Sequence, residues 1–347
     1  MAYPQLQNEL LRIISTKPDI RVSGLLEQIT PSVSLSTINR GLKDLVNEGL
    51  LIKSGSGRNT SYTIAPGYQL LNQRFDDTYF DREIDERDGN KNINPEIFDL
   101  LANIKIFTAA ELSKLNALQE EHNQKITTLS TTLRSKETER LSIELSWKSS
   151  QIEGNTYSLL ETEALLADKT KAPGKSSEEA TMLLNHKTAL DYIFNHNVSV
   201  DLLTITSIED IHYLLVKDMG VARNLRKRAV GITGTSYIPP DNEFQLKEYL
   251  QAACDVINGK NLIFEKAMLA VLLISYIQPF EDGNKRTGRI TGNGLLIENG
   301  YCPLSYRSVA PIDYKKAMIF FYEQNNLTAY KALFIEQFEY AVKHYYR

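Results

Sequence analysis

Ala267 to Ile277 reads AMLAVLLISYI, and the chain continues through Arg289 as QPFEDGNKRTGR. A run with no continuous polar face cannot lie on a surface, so it demands a helix enclosed by other elements. It is too short to cross a bilayer and reads as a buried core helix. The residues after Ile277 constrain the chain further. Pro279 disfavours helix at the residue before it, which ends the run near Gln278. Asp282-Gly283-Asn284 favours a turn. A helix restarting near Asn284 aims free N–H groups at that turn, and its dipole favours an anion there. Arg286 and Arg289 stand three residues apart on one face of this helix and add two guanidinium forks. Asp282 supplies a hard oxygen suited to Mg2+ shared with phosphate. A Gly-Asn pair usually marks only a turn, and spaced arginines usually only a surface. Together they point to a phosphate cradle.

A chain of 347 residues has room for two or three domains. Its two cysteines, Cys254 and Cys302, are too few for a disulfide framework, occupy no metal-ligand spacing and read as core residues. A reducing, cytoplasmic setting is the simplest expectation. The N-terminus, MAYPQLQNELLRII, lacks the basic-then-apolar order of a signal peptide, and no membrane partner is expected. The net charge of −4 hides an asymmetry: residues 1–66 carry seven Lys/Arg and five Asp/Glu, which leaves −6 on the remainder. Nucleic acid is weakly favoured as a partner of the first part and disfavoured for the rest.

Leu6, Leu10, Ile13 and Ile14 recur at helical spacing. Ser23 is placed to cap a second helix with Leu25, Leu26 and Ile29 inward. Ser34 is placed to cap a third, with Ile38, Leu42 and Leu45 on one face, Ser36, Asn39, Arg40 and Lys43 on the other, and Gly49 at its end. LLIKSGSGRNTSYTI then reads as two strands around a Gly-Ser tip bearing Arg58. Three helices and a hairpin resemble a winged helix-turn-helix domain, here residues 1–66. That resemblance implies DNA contact through Ser36, Asn39, Arg40, Lys43 and Arg58. So small a positive charge makes few phosphate contacts per copy, and useful DNA affinity would need a homodimer. A protein-docking or dimerisation module is the alternative. Residues 67–110, with the charge-rich RFDDTYFDREIDERDGNKN, read as an arm or linker. From 111 onward the pattern is mainly α, with long amphipathic segments, a loop at KTKAPGKSS and a capping-box pattern at Ser176 and Glu179.

The string from Gln278 to Arg289 resembles the signature of the Fic family, H-x-F-x-[DE]-G-N-[GK]-R-x-x-R. Pro279, Phe280, Asp282, Gly283, Asn284, Lys285, Arg286, Thr287, Gly288 and Arg289 fit it, and only Gln278 departs. LSWKSSQIEGN, with Ser149, Glu153 and Gly154, is similar to that family's inhibitory helix. LRKRAVGITGTSYIPPD is similar to its flap, and IEDIHYLL to the helix before the flap. The resemblance spans roughly residues 110–347. It implies a Fic-type helical domain with a small β-hairpin flap and transfer of AMP from ATP to a protein hydroxyl, the target being another protein or the chain itself. On that pattern Asp282 binds Mg2+, and Gly283, Asn284 and Lys285 surround the α- and β-phosphates. Arg286 contacts phosphate and Arg289 grips the γ-phosphate. Val230, Gly231 and Ile232 of the flap dock the target's main chain by strand addition.

Ser149 and Glu153 are four apart and share a helix face. Gly154-Asn155 ends that helix, so Glu153 lies at its tip, where Arg289 is its obvious partner. A structural ion pair is the plainer alternative. Gln278 occupies the position of the family's general base, yet an amide cannot take a proton near neutral pH. Glu281 is adjacent and is a weak substitute. His212 reads as a packing or hydrogen-bonding residue, and His122, His186, His196 and His344 as surface or structural. Three readings stand: slow or conditional AMP transfer, a nucleotide-sensing DNA-binding regulator, or a protein-interaction module whose cradle stays closed behind Glu153. Nucleotide binding with impaired transfer is preferred.

Overall fold

Separate hydrophobic cores organise the two ends of the chain. In this computed structural model the described residues are 3–29, 33–72, 77–195 and 202–346. His196 lies outside them, as does the side chain of Arg58.

The first core is closed by helix α1 (Tyr3–Thr16), strand β1 (Ile20–Arg21), helices α2 (Val22–Gln28) and α3 (Leu35–Asn47), and strands β2 (Leu51–Ser54) and β3 (Ser61–Ile64). The strands form one antiparallel sheet in the order β1-β3-β2, with Leu51 opposite Ile64 and Ile20 opposite Tyr62. Leu6, Leu10, Ile13 and Ile14 meet Ile38, Leu42 and Leu45 inside it. Ser34 caps α3 by accepting from the Thr37 N–H at 3.2 Å, and Gly49 follows its end at φ 74°. Two details depart from the sequence pattern. Ser23 caps nothing: α2 begins two residues earlier, behind Arg21, because that residue closes the short β1 ladder to Ser61. Leu26 is 39% exposed, since a two-turn helix buries a single stripe and Leu25 fills it.

The remaining helices are α4 (Tyr68–Leu71), α5 (Glu96–Asn103), α6 (Ala109–Thr128), α7 (Thr131–Ile152), α8 (Leu159–Asp168), α9 (Ser177–Phe194), α10 (Ile205–Val216), α11 (Glu243–Gly259), α12 (Ile263–Ile277), α13 (Asn284–Glu298), α14 (Pro311–Gln324) and α15 (Thr328–His344). Every residue of α12 from Ala267 to Ile277 is buried, as its composition requires. Helix α13 packs against it backbone to backbone. A Cβ at Gly292 would lie 2.8 Å from the Ala267 carbonyl oxygen, and one at Gly288 3.0 Å from that of Val271. The capping box of Ser176 and Glu179 is present, and Cys254 and Cys302 are buried. No helix among the described residues is long and apolar enough to cross a membrane.

The segment expected as an arm, 67–110, contributes to the larger core. Ile97, Phe98, Leu101, Ile106 and Phe107 are buried in it, and Glu265 of α12 accepts from the Ile106 N–H at 2.8 Å. The buried Asn326, in the turn between α14 and α15, donates to the carbonyls of Gln69 and Asn72 and to the Asn72 side chain. Its neighbour Asn325 donates to the Tyr276 hydroxyl at 3.1 Å. The expected β-hairpin flap is corrected as well. Residues 225–241 form no paired hairpin; their one bridge, parallel, joins Ile238 to Asn92. Consecutive prolines at 239 and 240 deny the second arm the N–H groups that a ladder needs.

Candidate functional site

The turn between α12 and α13 is built by side-chain bonds to its own backbone. Helix α12 stops at Ile277, and Gln278 takes a left-handed conformation at φ 50°. Asn284 then folds the loop. Its Oδ1 accepts from the Phe280 N–H at 2.8 Å, and its Nδ2 donates to the Phe280 carbonyl at 2.8 Å and to Gln278 Oε1 at 3.0 Å. Gly283 caps α13 at φ 80°, with Val216 Cγ1 only 3.1 Å from where a Cβ would stand. Both facts demand glycine. The first amides of α13 have no intrahelical partner. Asn284, Lys285 and Arg286, which carry them, line a cleft of about 790 Å³, within the range of small-ligand sites.

Glu153 reaches this cleft from α7. It is the residue at the helix end, and Gly154 turns the chain away at φ 99°. Arg289 is wholly buried: its Nε donates to Ser149 Oγ at 2.9 Å and its Nη2 to the Ser149 carbonyl at 3.0 Å. The same Nη2 lies 2.8 Å from Glu153 Oε1 but off the hydrogen-bond line, so that contact is an ion pair rather than a fork. Lys285 Nζ holds the other carboxylate oxygen at 3.4 Å, and the Tyr314 ring lies 5.1 Å from the guanidinium carbon. Burial works against both charges, but the pairing outweighs it. Arg289 and Lys285 hold the Glu153 carboxyl below the usual carboxylate range, and Arg289 is pushed above its own. Ser149→Ala removes one bond to a buried cation. Such bonds contribute about 1.5–3 kcal/mol, so a drop in melting temperature is the expected outcome of a thermal unfolding scan.

The expected flap residues Val230, Gly231 and Ile232 line the same cleft. Arg226, 1% exposed, fixes the flap's base by donating to the carbonyls of Gln278, Arg228 and Pro240. Sequence reasoning missed the opposite wall, where Phe80 to Ile84 and Arg87 face the flap. Arg87 donates to the Gly234 carbonyl at 2.7 Å and pairs with the buried Glu323 at 3.5 Å; Glu323 also accepts from the Tyr79 and Thr235 hydroxyls, each at 2.6 Å. These partners are as far as 244 residues apart, so no local spacing could have shown them.

Gln278 is 7% exposed, and both ends of its amide are engaged: Nε2 donates to the Ser275 carbonyl at 2.6 Å and Oε1 accepts from Asn284. Asp282 keeps an accessible side chain, 61% exposed, and one of its oxygens accepts from Arg286 Nη2 at 2.8 Å. An open carboxylate beside a row of free amides fits Mg2+, which is commonly held by one or two carboxylates together with substrate phosphates. Glu281 is exposed and lines the cleft. His122 and His186 are buried and His344 stacks on Tyr340, so all three are structural. His212 is buried against Phe280, and desolvation lowers its pKa to about 4. Ser36, Asn39, Arg40 and Lys43 share the exposed face of α3 and take no part in the cleft.

Residues 202–296 match the model of the Fic/DOC family. The chain is similar to the protein adenylyltransferase Fic of Nematostella vectensis, 31% identical over 48% of this chain and 40% of that protein. It is also similar to protein adenylyltransferase fic-1 of Caenorhabditis elegans, 28% identical over 44% of this chain and 31% of that protein. The chain thus spans less than half the length of these curated relatives. Among solved structures, Fic-1 (residues 134–508) of C. elegans shares the fold at a TM-score of 0.55 and 22% identity, over 68% of this chain and 71% of that one. A Fic family protein from Desulfovibrio desulfuricans G20 does so at 0.58 and 18%, over 72% and 74%. Residues 202–296 thus match a Fic/DOC domain, and part of the chain is similar to protein adenylyltransferases.

Proposed function

We propose that this chain binds ATP with Mg2+ in the cleft before α13, that Glu153 restrains this binding, and that transfer of AMP to a protein hydroxyl is impaired at the proton-removal step. One observation carries the reading: Gly283, Asn284, Lys285 and Arg286 line the cleft at the start of α13, while the adjoining position holds an amide already bonded at both ends. Gly283, Asn284 and Lys285 present amides to the α- and β-phosphates, and Arg286 adds charge beside them. Arg289 is the γ-phosphate partner, available once Glu153 withdraws. Mg2+ at Asp282 would offset charge on the phosphate oxygens. Val230, Gly231 and Ile232 offer main chain to a target polypeptide, whether another protein or the chain itself. Gln278 can orient a hydroxyl but cannot accept its proton. Retention of labelled ATP by the purified Glu153→Gly chain, and its loss when Arg289→Ala is added, is the expected outcome. Equal retention by both variants contradicts the assignment.

A second reading adds DNA recognition by residues 1–66, which would make the chain a nucleotide-sensing regulator. It is supported by the separate N-terminal core and by the polar face that α3 leaves exposed. A gel shift with genomic fragments should weaken steeply between two salt concentrations, and Arg40→Ala with Lys43→Ala should abolish it. A shift that salt leaves unchanged, or none at all, favours protein docking by this module instead. Dimerisation, a cytoplasmic setting and the boundaries at residues 66 and 110 belong to the same proposal.

A further inference from the structure

His212 of α10 touches the phosphate-facing turn from behind. It is fully buried, and its ring lies flat on Phe280, with centroids 3.7 Å apart and planes 3° from parallel. Nε2 stands 3.0 Å from the carbonyl oxygen of Asp282, and Nδ1 stands 3.2 Å from that of Arg223. The contact at Asp282 has a geometric consequence. A trans peptide is planar, and its C=O and N–H point in opposite directions. With the Asp282 oxygen turned toward α10, the N–H of Gly283 is turned away from α10, toward the cleft that Gly283 lines. Among the described residues, that N–H donates to no protein acceptor. Gly283 does not fix the peptide's orientation by itself, because glycine accepts either sign of φ.

We propose that His212 is a positioning residue: by donating to the Asp282 carbonyl it aims the Gly283 amide at the bound phosphates. The inference rests on the nucleotide reading of the cleft. It separates two roles for the ring. Stacking on Phe280 survives replacement by phenylalanine, whereas the donor does not. Glutamine returns a donor near the place of Nε2 without the ring.

The test uses the full chain carrying Glu153→Gly, titrated calorimetrically with MgATP and, separately, with adenosine. His212→Phe should weaken ATP about tenfold to a hundredfold, the loss of one hydrogen bond to a charged group, and leave adenosine unchanged. His212→Gln should recover most of the ATP affinity. Unchanged ATP affinity in His212→Phe overturns the proposal, as does an equal fall for ATP and adenosine, which marks general damage. The Gly283 amide resonance provides a readout without nucleotide. It should move in His212→Phe and return in His212→Gln, and an unmoved resonance overturns the proposal. If the Glu153→Gly chain binds no ATP, the nucleotide reading fails by itself, and the resonance still decides what the histidine does.

Discussion

Glu153→Gly should lower the melting temperature of the free chain and restore it when MgATP is added. Arg289 is wholly buried, and Glu153 is its carboxylate partner at 2.8 Å. Removing one member of a buried ion pair costs about 3–5 kcal/mol, because the other charge is left uncompensated. The lower end, about 3, is expected here, since Glu153 keeps 18% of its side chain exposed. On the proposed function, a triphosphate would bring negative charge back to the same guanidinium, so ligand and carboxylate would compete for one position. ATP affinity should rise at least tenfold, and a hundredfold rise corresponds to about 2.7 kcal/mol. Unchanged affinity by calorimetry, or a higher melting temperature without nucleotide, would refute the competition. Mild acid should not mimic the substitution. Glu153 has a depressed pKa, so the pair's contribution is present above the ordinary carboxylate value and is lost only as pH falls through a lower one. The loss of melting temperature caused by Glu153→Gly should therefore stay constant as pH is lowered from neutral to about 5, a range above the ordinary carboxylate values.

Gln278→His combined with Glu153→Gly should create AMP transfer where Glu153→Gly alone gives little. A positioned general base contributes about 10²–10⁴ in rate. The local structure favours the exchange. Position 278 is left-handed at φ 50°, a conformation in which histidine is several-fold enriched among non-glycine residues. The backbone carbonyl of residue 278 would still accept from Arg226. Asn284 would lose an acceptor for Nδ2 but keep the Phe280 carbonyl, so the turn should hold. Labelling of the chain or of lysate proteins with radioactive AMP reads the result. If the double variant labels nothing while it binds ATP tightly, the flap or the target groove has diverged along with the base.

The turn between α12 and α13 was legible in the sequence because its parts are contiguous. Proline, phenylalanine, a glycine at positive φ and an asparagine that bonds its own loop all fall between Gln278 and Arg289. The tip position of Glu153 was legible for the same local reason, a helix ended by glycine. Other features were not. Ser23 looked like a cap because capping is inferred from residue type, while the actual start of α2 was set by a strand pairing with Ser61, 40 positions away in the numbering. The flap's family pattern suggested a hairpin, and its prolines and its anchors at Arg226 and Arg87 imposed an irregular course instead. The charge-rich run RFDDTYFDREIDERDGNKN read as an arm or linker. Tyr79 and Arg87 within it are held by Glu323, a partner that no periodicity reveals.

Gly288 and Gly292 seat α13 directly on the backbone of α12, and this seating fixes where the amide-bearing turn stands. The side chain at position 278 has no such backbone seat: it stands at a helix end, held by bonds to the Ser275 carbonyl and Asn284. On the proposed function, proton removal and nucleotide binding would thus be unequally entrenched in this architecture. One codon would then be enough to silence or revive the proton transfer, whereas erasing the turn would mean dismantling the central helix pair. On the proposed function, a chain without transfer would still keep a nucleotide receptor, open to recruitment as a sensor.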